Sequence, residues 1–211
     1  MFRFFGKEYG DAVFNLPALC AEIGISPEDV FYAEQTHSKN IYVAKERPGQ
    51  QKFEDFDAFI SNVPGLNFLI KVADCQGISL FDPVLKVVGA VHNGWRGSVQ
   101  NILGETVSSM RSEFGCDPSR LLVYISPSLG PCCSEFSDPS RELPSDFVKY
   151  FLPGNRVDFW GCSHDQLVDA GVLSSNIENS KLCTVCNSDR LFSYRAEGRG
   201  YGRNGLIVGL E

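Results

Sequence analysis

Between residues 56 and 92 the chain strings together four apolar runs, 56–61, 67–74, 77–81 and 87–92, broken by Pro64-Gly65 and Asp82-Pro83. Short runs bounded by turn residues read as strands, so this region must form the core of a sheet. The period then changes. From Ser98 onward Val99, Ile102, Leu103, Thr106, Val107, Met110 and Phe114 recur at helical spacing, and Gly115 closes the run. A strand hairpin that feeds a long helix limits the fold to a sheet with helical cover.

The flanking sequence adds smaller elements. Residues 2–5 read as a first strand. Asn15, with Pro17 in the first turn, opens an amphipathic helix that Gly24 stops. Segments 30–33 and 40–44 read as strands on either side of a loop that carries His37. Segment 45–55, with six charges, Pro48 and Gly49, reads as a solvated loop. Residues 121–125 read as a strand leading into a Pro- and Gly-rich loop, 126–133. A short helix is expected at 145–150 and a strand at 157–160. Ser163 with Gln166 has the capping-box pattern of a helix through Ala170, and its first turn leaves His164 on the surface. Segments 181–185 and 205–210 read as the last strands.

With 211 residues, 43% of them hydrophobic, the chain can bury a core as one domain. The net charge of -7 provides no basic surface for nucleic acid or an anionic membrane, so a small-molecule ligand is expected. No window is apolar for long enough to span a membrane, and the N-terminus turns charged too early for a signal peptide. A cytoplasmic protein is expected. In such a chain the eight cysteines read as thiols rather than disulfide staples.

Cys75 and His92 stand at the ends of the two strands joined at Asp82-Pro83, where side chains converge. With His37 they would give one thiolate and two imidazoles, a donor set zinc prefers, with the fourth position left to water. The separations of 38 and 17 positions match no zinc-finger spacing, which favours an open site over a closed one. Asp74 would point away from Cys75 in an extended strand, so it is either an anchor or, if the strand bends, a catalytic acid or base. Arg96 precedes the helix, whose N-terminus favours an anion, and its guanidinium can grip phosphate. Arg190, Arg195, Arg199 and Arg203 form a local surplus of positive charge suited to an anionic substrate group. Cys183-x-x-Cys186 has the pattern of half a zinc site or of a redox pair, without a second pair downstream, and the adjacent Cys132 and Cys133 could bridge only with strain. Both pairs read as structural or incidental.

Several segments together resemble one family. They are Gln35-Thr36-His37, Asp57-Ala58-Phe59-Ile60-Ser61-Asn62, Ala73-Asp74-Cys75, His92-Asn93-Gly94-Trp95-Arg96-Gly97, Ser128-Leu129-Gly130-Pro131-Cys132-Cys133 and Phe192-Ser193-Tyr194-Arg195. In this order they resemble the laccase-domain family, first described as polyphenol oxidase and later as zinc-dependent purine nucleoside phosphorylase. The resemblance implies a single-domain α+β fold of stacked mixed β-sheets flanked by helices. It also implies a metal at His37, Cys75 and His92. The implied activity is phosphorolysis of purine nucleosides, with adenosine deamination and methylthioadenosine cleavage beside it; editing of a cell-wall precursor is a further family activity.

Two positions depart from the family pattern. Asn93 stands where alanine is usual, which adds a polar group beside the proposed metal. Ala196 replaces the second of two arginines, which leaves Arg199 or Arg203 to supply the missing anion contact. Two readings compete with the zinc phosphorylase. One is a copper oxidase of phenols, the other a non-catalytic module stabilised by its metal.

Overall fold

Side-chain alternation along residues 87–93 sets the layers. Val87 and Val91 join one buried cluster, and Val88 and Ala90 join another on the opposite face. With a two-residue period, His92 shares the face of Val88 and Ala90. The structure, a computed structural model, describes residues 1–198, 200 and 202–211.

In chain order the elements are β1 (Phe2–Phe5), α1 (Leu16–Ile23), β2 (Val30–Glu34), β3 (Ile41–Ala44), β4 (Lys52–Glu54), β5 (Ala58–Ser61) and β6 (Asn67–Val72). Next come the hairpin of β7 (Gln76–Asp82) and β8 (Val87–Asn93), then α2 (Trp95–Val99), α3 (Ile102–Phe114) and β9 (Leu122–Ile125). The last third holds α4 (Pro139–Glu142), β10 (Phe151–Leu152), β11 (Arg156–Val157), α5 (Phe159–Asp169), β12 (Ile177–Asn179), α6 (Tyr194–Glu197) and β13 (Asn204–Gly209).

Two mixed sheets carry the fold. One is ordered β1-β13-β6-β2-β4 and the other β12-β9-β7-β8-β5-β3. They pack face to face through Phe31, Phe59, Phe68, Ile70, Val88 and Leu206, and the Phe59 and Phe68 rings stack at 4.9 Å. Helix α1 covers the outer face of the first sheet through Leu19 and Cys20. Helices α3 and α5 cover the second through Leu103, Val107, Met110 and Leu167. The result is the expected α+β fold of stacked mixed sheets flanked by helices, in a single domain. All eight cysteines are free thiols. Among the described residues no helix is long and apolar enough to cross a membrane.

Four local expectations are corrected. Segment 45–55 is not wholly loop, because β4 pairs in parallel with β2. One buried residue, Phe53, holds it there against Tyr42 at 4.3 Å, which outweighs the charges around it. The long helix breaks in two at Asn101, whose left-handed backbone (φ 55°) and side chain, accepting from the Gly104 N–H, start α3 anew. Helix α5 starts at Phe159 under an Asp158 cap that accepts from the Gly161 N–H, so the strand expected at 157–160 stops at Val157, the end of β11, and Ser163 lies inside the helix rather than at its cap. Residues 181–185 form only an isolated bridge between Cys183 and Ser128, and the strand next to β9 is β12.

Candidate metal centre

The hairpin register brings two of the three expected donors side by side. Gln76 lies opposite Asn93 and Gly77 opposite His92, so Cys75, one residue before β7, sits beside the His92 imidazole. His37 arrives on the β2–β3 loop with a left-handed backbone, φ 62°, a conformation that costs energy in a non-glycine residue and persists where surrounding bonds enforce it. Its Nε2 lies 3.8 Å from Cys75 Sγ, and its ring meets that of His92 edge-on with centroids 4.8 Å apart. The donor atoms of all three residues lie within 4.8 Å of one another. Gly94 makes this convergence possible. A Cβ there would stand 2.8 Å from Cys75 Sγ and 2.9 Å from His37 Cδ2, so only glycine fits.

Asp57, fully buried, holds the centre together. Its Oδ1 pairs with His92 Nδ1 at 2.6 Å, which leaves His92 Nε2 to face the centre. The same carboxylate accepts the N–H groups of Thr36, His37 and Ser38 and the Ser38 hydroxyl, and so pins the strained loop. Burial alone would raise its pKa, but the bonds from His92 and Ser38 prevail and hold it below the usual carboxylate range. Sequence reading missed this role, although Asp57 opens one of the segments that carried the family resemblance.

The donors are also electrostatically matched. Burial would raise the Cys75 thiol, yet His92 and His37 bring it down to about 6. Burial would likewise lower His92, and the Cys75 thiolate and Asp57 push it up to about 9. Between those values the metal-free pair is thiolate and imidazolium. A metal must then displace the His92 proton, so affinity is expected to rise about tenfold per pH unit from about 6 to about 9. Above that range it levels off, and below it the slope steepens because a proton competes for Cys75 as well. Competition titrations against a chelator check both limits.

The centre opens into a cavity of about 680 Å³ whose wall includes Asp74, Arg96, Arg195 and Arg203. The chain does bend at Asp74, with φ 86°. Its carboxylate accepts the Thr184 and Ser193 hydroxyls, each at 2.6 Å, and the Arg195 N–H at 2.7 Å. Of the two roles open to Asp74, this geometry favours the anchor. Arg96 is exposed on α2, a helix of five residues, and its guanidinium lies 4.2 Å from the centroid of the Trp95 ring. Arg195 donates from Nη1 to the Glu135 carbonyl at 2.8 Å. Arg190 lies away from the cavity wall, and Arg199 lies outside the described residues.

Lys71 also lines the cavity and carried no sequence signal, because its strand reads as simply apolar. Its amine donates to the Ala33 carbonyl at 2.9 Å. Burial, then Arg203 and Lys52, hold its pKa below the ordinary lysine value. Asn93 is buried, and its amide donates to Gln76 Oε1 at 3.2 Å and Ser163 Oγ at 3.1 Å while accepting from Ser98. It therefore ties the hairpin to α5. Asn93→Ala, which strands these partners, is expected to cost about 1–3 kcal/mol of stability, measurable by chemical denaturation. His164 is half-buried at the surface and bonds Ser174 at 2.8 Å.

Fold and site together define an α+β protein whose His-Cys-His centre can hold a metal ion beside a ligand-sized cavity. Residues 9–211 match the family model described as multi-copper polyphenol oxidoreductase laccase, and the chain belongs to that family. It is 29% identical over 206 residues to the mouse purine nucleoside phosphorylase LACC1, a match covering 93% of this chain and 47% of the mouse protein. The chain thus spans about half the length of that mammalian relative. It is 32% identical over 202 residues to the Corynebacterium glutamicum purine nucleoside phosphorylase Cgl2154/cg2365, covering 93% of this chain and 80% of that one. Among solved structures, the Bacillus licheniformis hypothetical protein YfiH superposes with a TM-score of 0.86 at 26% identity, over 99% of this chain and 85% of the other.

Proposed function

We propose that residues 1–211 act as one catalytic domain, a zinc-dependent purine nucleoside phosphorylase that converts adenosine, inosine or guanosine and phosphate to free base and ribose 1-phosphate. Adenosine deamination and methylthioadenosine cleavage are companion activities in this reading. The observation that carries it is the opening of His37, Cys75 and His92 into a cavity walled by arginines. The names of the mouse and Corynebacterium relatives support the same assignment.

The donor set fits zinc. Three protein donors with room for a fourth ligand are the usual composition of a catalytic zinc site, whereas a multicopper oxidase needs more imidazoles than this chain's three histidines can supply. One of those three, His164, lies outside the centre and is engaged with Ser174. Bound zinc would supply Lewis acidity toward a phosphate, water or sugar oxygen.

The remaining steps belong to the chain. Arg96 binds phosphate, its guanidinium steadied against Trp95. Arg195 and Arg203 complete the anionic subsite, with Arg195 aimed by its bond to Glu135. Phe136 and Phe159, in ring contact at 5.8 Å, offer an apolar surface for the purine. An oxygen of the held phosphate attacks C1′ as the bond from C1′ to the base breaks; the base nitrogen keeps the electron pair and takes up the proton that hydrogen phosphate gives up, so the sugar leaves as its 1-phosphate and the base leaves neutral. Asp74 holds Thr184, Ser193 and Arg195 in register around this subsite.

Incubating purified, zinc-loaded protein with adenosine, with and without phosphate, tests the reading by chromatography. Adenine is expected only when phosphate is present, and inosine marks the companion deamination. Formation of neither overturns the reading. Phenol oxidation by the copper-loaded protein would then point to the oxidase, turnover of a cell-wall precursor to the editing hydrolase, and no turnover at all to the metal-stabilised module.

A further inference from the structure

Four cysteines that the proposed reaction does not use meet at the surface. Cys132 and Cys133 lie on the loop after β9, and Cys183 and Cys186 lie on the turn after β12. The two segments are stitched together by backbone bonds, with the Ser128 N–H donating to the Leu182 carbonyl at 3.1 Å and the Thr184 N–H to the Ser128 carbonyl at 3.0 Å. In sequence Cys183-x-x-Cys186 has no partner pair downstream. Its partner is upstream, the adjacent Cys132 and Cys133, which the fold brings back across about fifty residues of chain.

The spacing of the sulfurs suits an ion and not a disulfide. Cys186 Sγ lies 3.6 Å from both Cys132 Sγ and Cys133 Sγ, and all four sulfurs lie within 4.8 Å of one another. A disulfide needs about 2.05 Å, and Cys186 favours neither neighbour. Four sulfurs at about 2.3 Å from a tetrahedral zinc stand about 3.8 Å apart, close to the spacing here. The Gly130 N–H donates to Cys183 Sγ at 3.4 Å, a supporting bond of the kind that orients metal-bound ligands.

We propose that Cys132, Cys133, Cys183 and Cys186 form a second, structural metal site, a tetrathiolate centre for zinc. Sulfur donors select zinc over magnesium or calcium, and four protein ligands leave no position for a reactant. The ion clamps a segment that walls the cavity, through Leu129, Ser134 and Phe136, to a turn that braces it from behind. Thr184, next to Cys183, bonds Asp74, and Glu135, two residues past Cys133, accepts from Arg195. This site is therefore a positioning device, and its presence does not depend on which reaction the first centre performs.

Metal analysis of protein reconstituted with zinc under reducing conditions tests the proposal. The wild type is expected to retain two ions per chain and Cys75→Ala one. Cobalt-loaded Cys75→Ala is expected to keep the intense sulfur-to-metal absorption of a four-thiolate site, and Cys132→Ser/Cys186→Ser to lose it. Should the double variant fail to fold, the wild-type stoichiometry and the Cys75→Ala spectrum still decide. A single wild-type ion that is lost in Cys75→Ala, or recovery of the four cysteines as disulfides by mass spectrometry, overturns the site. None of these readouts involves nucleoside turnover, so loss of the phosphorylase reading would leave them unaffected.

Discussion

Cys75→Ala is expected to lower adenosine phosphorolysis about a thousand-fold or more, the counterpart of roughly 4 kcal/mol of transition-state stabilisation. The thiolate is the only sulfur among the three converging donors, and it carries negative charge down to about pH 6 because two imidazoles face it. Without it, two histidines remain to hold a divalent ion, and the matching charge for His92 is gone. The fold should persist, since the surrounding sheet faces are packed by other residues. Steady-state kinetics with metal analysis separates this outcome from the module reading, which expects a large fall in thermal stability and no turnover to lose.

Asp57→Asn is expected to weaken metal binding at the first centre by about 10–100-fold, the usual consequence of removing a partner that orients a ligating histidine. The effect should exceed that of any exposed substitution on the cavity rim, because one carboxylate serves both His92 and the His37 loop. Asp57→Ala is harsher. It leaves His92 without its buried counter-charge and is expected to cost about 3–5 kcal/mol of stability. The pH dependence gives the sign. Asp57 titrates below its ordinary range when folded, so its contribution is complete above the usual carboxylate pKa and is lost as pH falls through the lowered value. In Asp57→Asn that acid-side loss should shrink, which equilibrium unfolding in denaturant across acidic pH can follow.

The sequence made some features legible and hid others for physical reasons. The hairpin and its flanking strands were readable because period and turn residues agree there, and His37, Cys75 and His92 followed because strand ends gather side chains. The helix break at Asn101 was hidden within an unbroken apolar period, because a residue that caps a helix can also adopt the left-handed turn that interrupts one. Strand β4 was masked by charge, since a single Phe53 decides its pairing. Ser163 carried a genuine capping pattern, but tertiary contact with Gln76 at 2.6 Å claimed it for the interior. The partner pair of Cys183 and Cys186 was missed because it lies upstream, and pairing across such a distance is a property of topology rather than spacing. Asp57 lies within the run 56–61 that reads as a strand, and nothing in that pattern singles out its carboxylate.

The arrangement of His37, Cys75 and His92 around one divalent ion carries everything proposed for the reaction. Anomalous diffraction at the zinc edge, from crystals of zinc-loaded protein, tests it most directly. A peak is expected between His37 Nε2, Cys75 Sγ and His92 Nε2, with its open side toward the cavity. Crystals with no peak at that position would contradict it, whatever metal is found elsewhere in the chain.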